Sequence, residues 1–152
     1  YGHHRDLLSC PTRRSSDRHG IPPISEAQAA THLLGILRRV DVCLFEYFLT
    51  DHAGHRGTLA ERQEVLASLD RFLGALMAGL ERRSELLILF SDHGNIEDRQ
   101  ARGHTRNPVP WAAHGAQAEA AVDGMRSLLD VTPRILRLAA AAAVTAPSGD
   151  IG

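Results

Sequence analysis

Two short apolar runs constrain this chain more than anything else in it: VDVCLFEYF at 40–48 and ELLILF at 85–90. Both are β-branched, aromatic or aliphatic nearly throughout, and both are too short for an ordinary helix, so each reads as a buried strand. Between them the chain keeps a helical period. Thr58 and Glu61 form a capping box, and Leu59, Leu66, Leu69, Phe72, Leu73, Leu76, Met77 and Leu80 recur on one apolar face. Strand, amphipathic helix, strand is the pattern of an α/β fold.

The flanking segments extend that pattern. Ser25 and Gln28 make another capping box behind Pro22 and Pro23, and Leu33, Leu34, Leu37 and Val40 continue at helical spacing, so a helix is expected over 26–38. PVPWAA at 108–113 reads as a third strand, confined to an edge by its prolines. Thr132-Pro133 opens a closing helix through Ile135, Leu136 and Leu138, with Pro at the first helical position. The Ala-rich end frays into a flexible tail at 144–152. Residues 1–17, YGHHRDLLSCPTRRSSD, follow neither period, and PTRRSSD resembles one translated frame of a common sequencing adapter. We read 1–17 as a non-native segment, the other reading being a disordered basic arm, and give His3, His4, Ser15 and Ser16 no functional weight.

Composition excludes several classes. The chain has 152 residues, 43% of them hydrophobic, which is the length of one domain with enough apolar content for a core. All 17 basic residues are Arg against 18 acids, a formal net charge of -1 that argues against a nucleic-acid or membrane-surface binder. Cys10 and Cys43 are too few for a disulfide framework, which suits a reducing compartment. No apolar run approaches the roughly 20 residues of a membrane span, and no signal-peptide order is present. A cytoplasmic location is expected.

In open α/β sheets ligands sit beyond the carboxyl ends of the strands. The first apolar run is followed by LTDHAGHRG and the second by SDHGN. Asp51 and His55 are four apart, so one helical turn stacks them on one side. Asp92 and His93 are adjacent and converge only if the chain turns, which Gly94 allows. His104 returns from the loop after them. Carboxylate plus imidazole is a donor set for Zn or Mn rather than for Ca or Mg. Taken singly each piece has a plainer reading: an Asp–His pair on a helix is usually two solvated side chains, and an Asp-His after a strand is often a turn with a cap. Five such residues at consecutive strand ends favour a metal centre.

TDHAGH (50–55), SDHGN (91–95), GHTRNPVP (103–110) and LLDVTPRIL (128–136), in that order, resemble the alkaline phosphatase superfamily in its metal-binding C-terminal part. The branch they resemble is the cofactor-independent phosphoglycerate mutases and their shorter metalloenzyme relatives. The resemblance implies a partial alkaline-phosphatase-like sheet with flanking helices, a C-terminal fragment of the fold occupying 18–143. It implies two divalent metal ions, Mn or Zn. Asp51, His55 and His104 would hold one, and Asp92 with His93 part of the second. A further Asp and a Ser or Thr nucleophile would come from an N-terminal half that has no match here, so the lone chain is expected to be inactive. Arg106 is a candidate phosphate contact or a mere cover for the loop. Glu97 to Arg102 would be a surface excursion. Asn95 and Asn107 read as turn-stabilising, His52 as exposed, and Trp111 and Tyr47 as core.

The activity this implies is metal-dependent phosphoryl transfer on a small phosphorylated substrate, as a phosphomutase or a phosphomonoesterase. The alternative is a non-catalytic metal-binding fragment or interaction module. Neither reading involves nucleic acid or membrane, and neither specifies an oligomer.

Overall fold

A computed structural model describes residues 22–101 and 103–145. The suspect residues 1–17 and most of the tail lie outside the described residues. The fold is α/β, with helices α1 (Glu26–Leu37), α2 (Leu49–Arg56), α3 (Leu59–Gly79), α4 (Ala118–Val122) and α5 (Val131–Thr145) and strands β1 (Leu86–Phe90) and β2 (Trp111–Gly115). The chain forms two compact units: one holds the described residues up to Gly79 together with His93–Pro108, the other Leu80–Asp92 and the residues from Val109 on. Among the described residues no helix is long and apolar enough to cross a membrane.

The first unit is built on α1 and α3. Ser25 caps α1 by accepting from the Gln28 N–H at 3.2 Å, while Gln28 Oε1 accepts from the Ser25 N–H at 2.9 Å. Thr58 and Glu61 repeat this exchange at the start of α3, at 2.7 and 3.3 Å. Two ties then align the helices. Glu26 accepts from Ser68 and Arg71 at 3.0 and 2.8 Å near the start of α1, and Arg38 donates to the Gly79 carbonyl at 3.2 Å beyond its end. The two helices therefore run side by side in the same direction, and Ala30, Leu34, Phe72 and Leu76 are buried. On the expected apolar face of α3, Leu59, Leu66 and Met77 are exposed instead.

Two helices running the same way need a return segment between them, and residues 42–47, neither helix nor strand, are part of it. This is where the expected strand at 40–48 lies, and the expectation of a buried strand needs correction. The segment has no ladder partner among the described residues. Cys43 and Tyr47 are half-buried, and the Phe45 and Tyr47 rings lie 5.4 and 6.4 Å from that of Phe72, although Phe45 stays exposed. Val42 and Leu44 are exposed, Leu44 to 72%.

In the second unit β1 and β2 pair antiparallel, in register from Leu86 with Gly115 to Phe90 with Trp111. The expected strand at 85–90 is present, half-buried rather than buried, since a two-stranded sheet covers neither face fully. β2 begins three residues later than the expected 108–113 because Pro108 and Pro110 cannot donate to a ladder. Trp111 Nε1 donates to the Ala121 carbonyl at 3.1 Å, which seats α4 beside the strands and buries Ala121. α5 starts at Val131 with Pro133 in its first turn, and buries Val131 and Leu138.

Candidate metal centre

The centre lies within the first unit and begins with α2. This helix starts at Leu49, just past the apolar run 40–48. Its acid, Asp51, sits in the first turn and its bases, His55 and Arg56, in the last, the arrangement the helix dipole favours. The turn spacing puts His55 Nε2 3.3 Å from Asp51 Oδ1.

The second contribution comes from the loop 93–107. Thr105 N–H donates to the Gly94 carbonyl at 2.8 Å, an isolated antiparallel bridge that folds the loop back on itself. His93 and His104 flank the bridge, and their rings stack with centroids 3.5 Å apart and planes 13° from parallel. Gly94 serves this closure by its lack of a side chain. Its φ is not left-handed, and a Cβ there would collide with the Thr105 hydroxyl and the Glu97 carboxylate.

Glu97, exposed as expected of a surface excursion, is also the clasp of the loop. Its Oε1 accepts from the Thr105 hydroxyl at 2.5 Å and Asn107 Nδ2 at 2.9 Å, and its Oε2 from the Asn95 N–H at 2.6 Å. These donors, the Thr105 hydroxyl foremost, hold the Glu97 carboxyl down to about 2. Asn107 is turn-stabilising as expected. Asn95 is more than that: only 5% exposed, it donates to Asp51 Oδ1 at 2.6 Å and to the Asp51 carbonyl at 3.2 Å.

Where the loop meets α2, three donor atoms form a nearly equilateral triangle. Asp51 Oδ1 is 3.3 Å from His55 Nε2 and 3.3 Å from His104 Nε2, and the two nitrogens are 3.2 Å apart. A tetrahedral ion bound at about 2.0–2.1 Å needs its donor atoms about 3.3–3.4 Å apart. The three side chains fit such an ion. His93 overlaps this set, since donor atoms of Asp51, His93 and His104 all lie within 4.8 Å of one another. The Asp51, His55 and His104 set has edges that a single ion requires. Side-chain exposures of 35% to 48% leave it open to solvent on one side.

Of the six residues singled out from the sequence, Asp51, His55, His93 and His104 come together. Asp92, counted with the second unit, is exposed, as is Arg106. His52 is exposed, as expected. Sequence reasoning missed Arg62, 8% exposed, which donates to the carbonyls of Gly54, Gly57, Ile96 and Asp98 at 2.6, 3.3, 3.2 and 3.2 Å. A signal for it existed. Position 62 continues the 66, 69, 73 and 76 stripe of α3 toward the N-terminus, and a charge on an apolar stripe asks for a buried partner.

A family model described as the metalloenzyme superfamily matches residues 22–142, and the chain belongs to that family. It is 33% identical over 126 residues to the 2,3-bisphosphoglycerate-independent phosphoglycerate mutase of Agrobacterium fabrum, covering 77% of this chain and 25% of that protein. Identity is 34% over 105 residues to the enzyme of the same name from Roseobacter denitrificans, covering 64% and 21%. With that of Nitrosococcus oceani it is 28% over 146 residues, covering 90% and 28%. The chain thus spans about a quarter of the length of the curated relatives it matches. No solved structure matches it.

Proposed function

We propose that this chain carries metal-binding machinery of a metal-dependent phosphoryl-transfer enzyme acting on a small phosphorylated substrate. Asp51, His55 and His104 hold one divalent transition metal, Mn or Zn, and Asp92 and His93 contribute to a second. The observation that carries this is the triangle of Asp51 Oδ1, His55 Nε2 and His104 Nε2, with edges of 3.2 to 3.3 Å. When bound, such ions polarise phosphoryl oxygens and favour the ionised form of a hydroxyl nucleophile. Asp51 supplies the negative charge of the set, and the stacked His93 and His104 rings limit each other's rotation. Arg106, exposed in the 103–110 segment, would donate to a phosphate of the substrate.

The names of the relatives favour a mutase over a phosphatase, with a phosphoglycerate as substrate. In this scheme a Ser or Thr outside the matched motifs accepts the phosphoryl group and passes it to a second hydroxyl of the substrate. Water as the acceptor would make the enzyme a phosphatase.

Calorimetric titration of the 152-residue chain with Mn2+ and Zn2+ tests the metal centre. Wild type should bind, and Asp51→Ala and His55→Ala should each bind at least tenfold more weakly; equal binding by all three would refute it. For the full product of the gene, interconversion of phosphoglycerates without phosphate release is expected. Release of phosphate from many monoesters would replace mutase by phosphatase.

A further inference from the structure

We infer that Asn95 is a positioning residue for the metal ligand Asp51, and that Gly54 is glycine because the Asn95 amide fills the space its side chain would need. The inference rests on the metal-centre reading above and extends it to two residues that donate nothing to the metal.

The geometry decides the orientation of the Asn95 amide. Its two neighbours, Asp51 Oδ1 at 2.6 Å and the Asp51 carbonyl at 3.2 Å, are both oxygens without a proton to give, so the NH2 must face them. The amide therefore straddles the side chain and backbone of one residue, which fixes the Asp51 rotamer. A carboxylate oxygen has two lone pairs. Asn95 takes one on Oδ1, and the other is left for the side where His55 Nε2 and His104 Nε2 each stand 3.3 Å away. Outer partners of this kind orient a ligating carboxylate, and losing one costs about 10–100-fold in metal affinity.

Asn95 is itself held from three directions. Its N–H donates to Glu97 at 2.6 Å, and its carbonyl accepts from the Asp98 N–H at 3.3 Å. Its side-chain oxygen is buried without a hydrogen-bond partner and lies against Gly54, where a Cβ would collide with the amide. Leaving a buried amide oxygen unpaired is unfavourable. The opposite, donating end of the amide makes both hydrogen bonds to Asp51. Since Glu97 also accepts from Thr105, the neighbour of His104, one chain of hydrogen bonds links the two segments that carry the donor set.

Cobalt binding to the full 152-residue chain tests this, because the visible absorption of Co2+ reports donor geometry as well as affinity. Asn95→Ala and Gly54→Ala are each expected to weaken Co2+ binding about 10–100-fold and to alter the spectrum. The double variant should bind no more weakly than the poorer single variant, because both changes act through one hydrogen bond. His52→Ala, an exposed change on the same helix, should match wild type. Affinities are read below the metal-free melting temperature of each variant, so that unfolding does not enter. Wild-type affinity and spectrum in Asn95→Ala would overturn the inference, as would additive losses in the double variant. Should Asp51→Ala bind Co2+ as wild type does, the metal centre itself fails and this inference with it.

Discussion

The guanidinium of Arg62 donates to the carbonyl of Gly54 at 2.6 Å and, through its other nitrogens, to Gly57, Ile96 and Asp98. Gly54 and Gly57 lie in and just past the last turn of α2, whose carbonyls have no partner within the helix. Ile96 and Asp98 belong to the loop between His93 and His104. One buried cation thus joins both segments that supply the candidate donors, at the helix end where positive charge is favoured.

Replacing Arg62 by Met should destabilise the fold by roughly 2–4 kcal/mol, because several carbonyls lose charge-assisted bonds at once. Arg62→Lys should recover only part of this, since an ammonium cannot reach four carbonyls spread as a guanidinium fork reaches them. Urea denaturation of the three proteins checks it, and Met and Arg of equal stability would contradict the tie.

The Glu97 clasp should make the loop acid-sensitive in a defined window. Its folded carboxyl is held at about 2, below the ordinary 4.5, so its stabilising contribution is complete above about pH 4.5. That contribution drains away as pH falls from there through about 2. Carboxyl-detected NMR titration should place the Glu97 midpoint well below 4.5, at about 2. Glu97→Gln should flatten the acid dependence of Thr105 amide protection. A Glu97 midpoint near 4.5 would show that the clasp is open in solution.

Phe72 is 2% exposed and meets the rings of Phe45 and Tyr47. Phe72→Ala should cost about 3–5 kcal/mol, the range for emptying an aromatic site in a core. Leu44→Ser, on the exposed outward face of residues 42–47, should stay within about 0.5 kcal/mol. Comparable losses from both, measured by chemical denaturation, would mean that the outward face is also covered in solution.

Metal should stabilise the protein through its donors and not through general screening. At a free Mn2+ concentration 100 times its Kd, the wild-type fold gains about 2.7 kcal/mol. His104→Ala should show little or none of this in thermal melts at the same ion concentration. An equal rise in both would place the ion elsewhere.

Much of this could be read along the chain. The paired caps Ser25–Gln28 and Thr58–Glu61 started α1 and α3 where expected, because a cap is a contract between residues three apart. The helical stacking of Asp51 on His55 depended likewise on spacing, and the strand at 85–90 on a short, wholly apolar run. The edge strand shifted to Trp111–Gly115, because its prolines exclude ladder positions that apolar content suggests. Residues 42–47 have the composition of a buried strand, but burial and pairing belong to the neighbours a segment finds. Leu44 found none among the described residues.

By itself the sequence determined the donor types, their order and the elements that carry them, since caps, periodicity and turn chemistry act over a few residues. Only the tertiary structure decided that Asp51 Oδ1, His55 Nε2 and His104 Nε2 stand 3.2 to 3.3 Å apart, across 49 residues of chain from His55 to His104. It alone made Arg62, Asn95 and Glu97 the residues that hold them there. Their partners are backbone carbonyls, an amide nitrogen and a carboxylate brought close by folding. No local pattern encodes a hydrogen bond to an atom whose position depends on the rest of the chain.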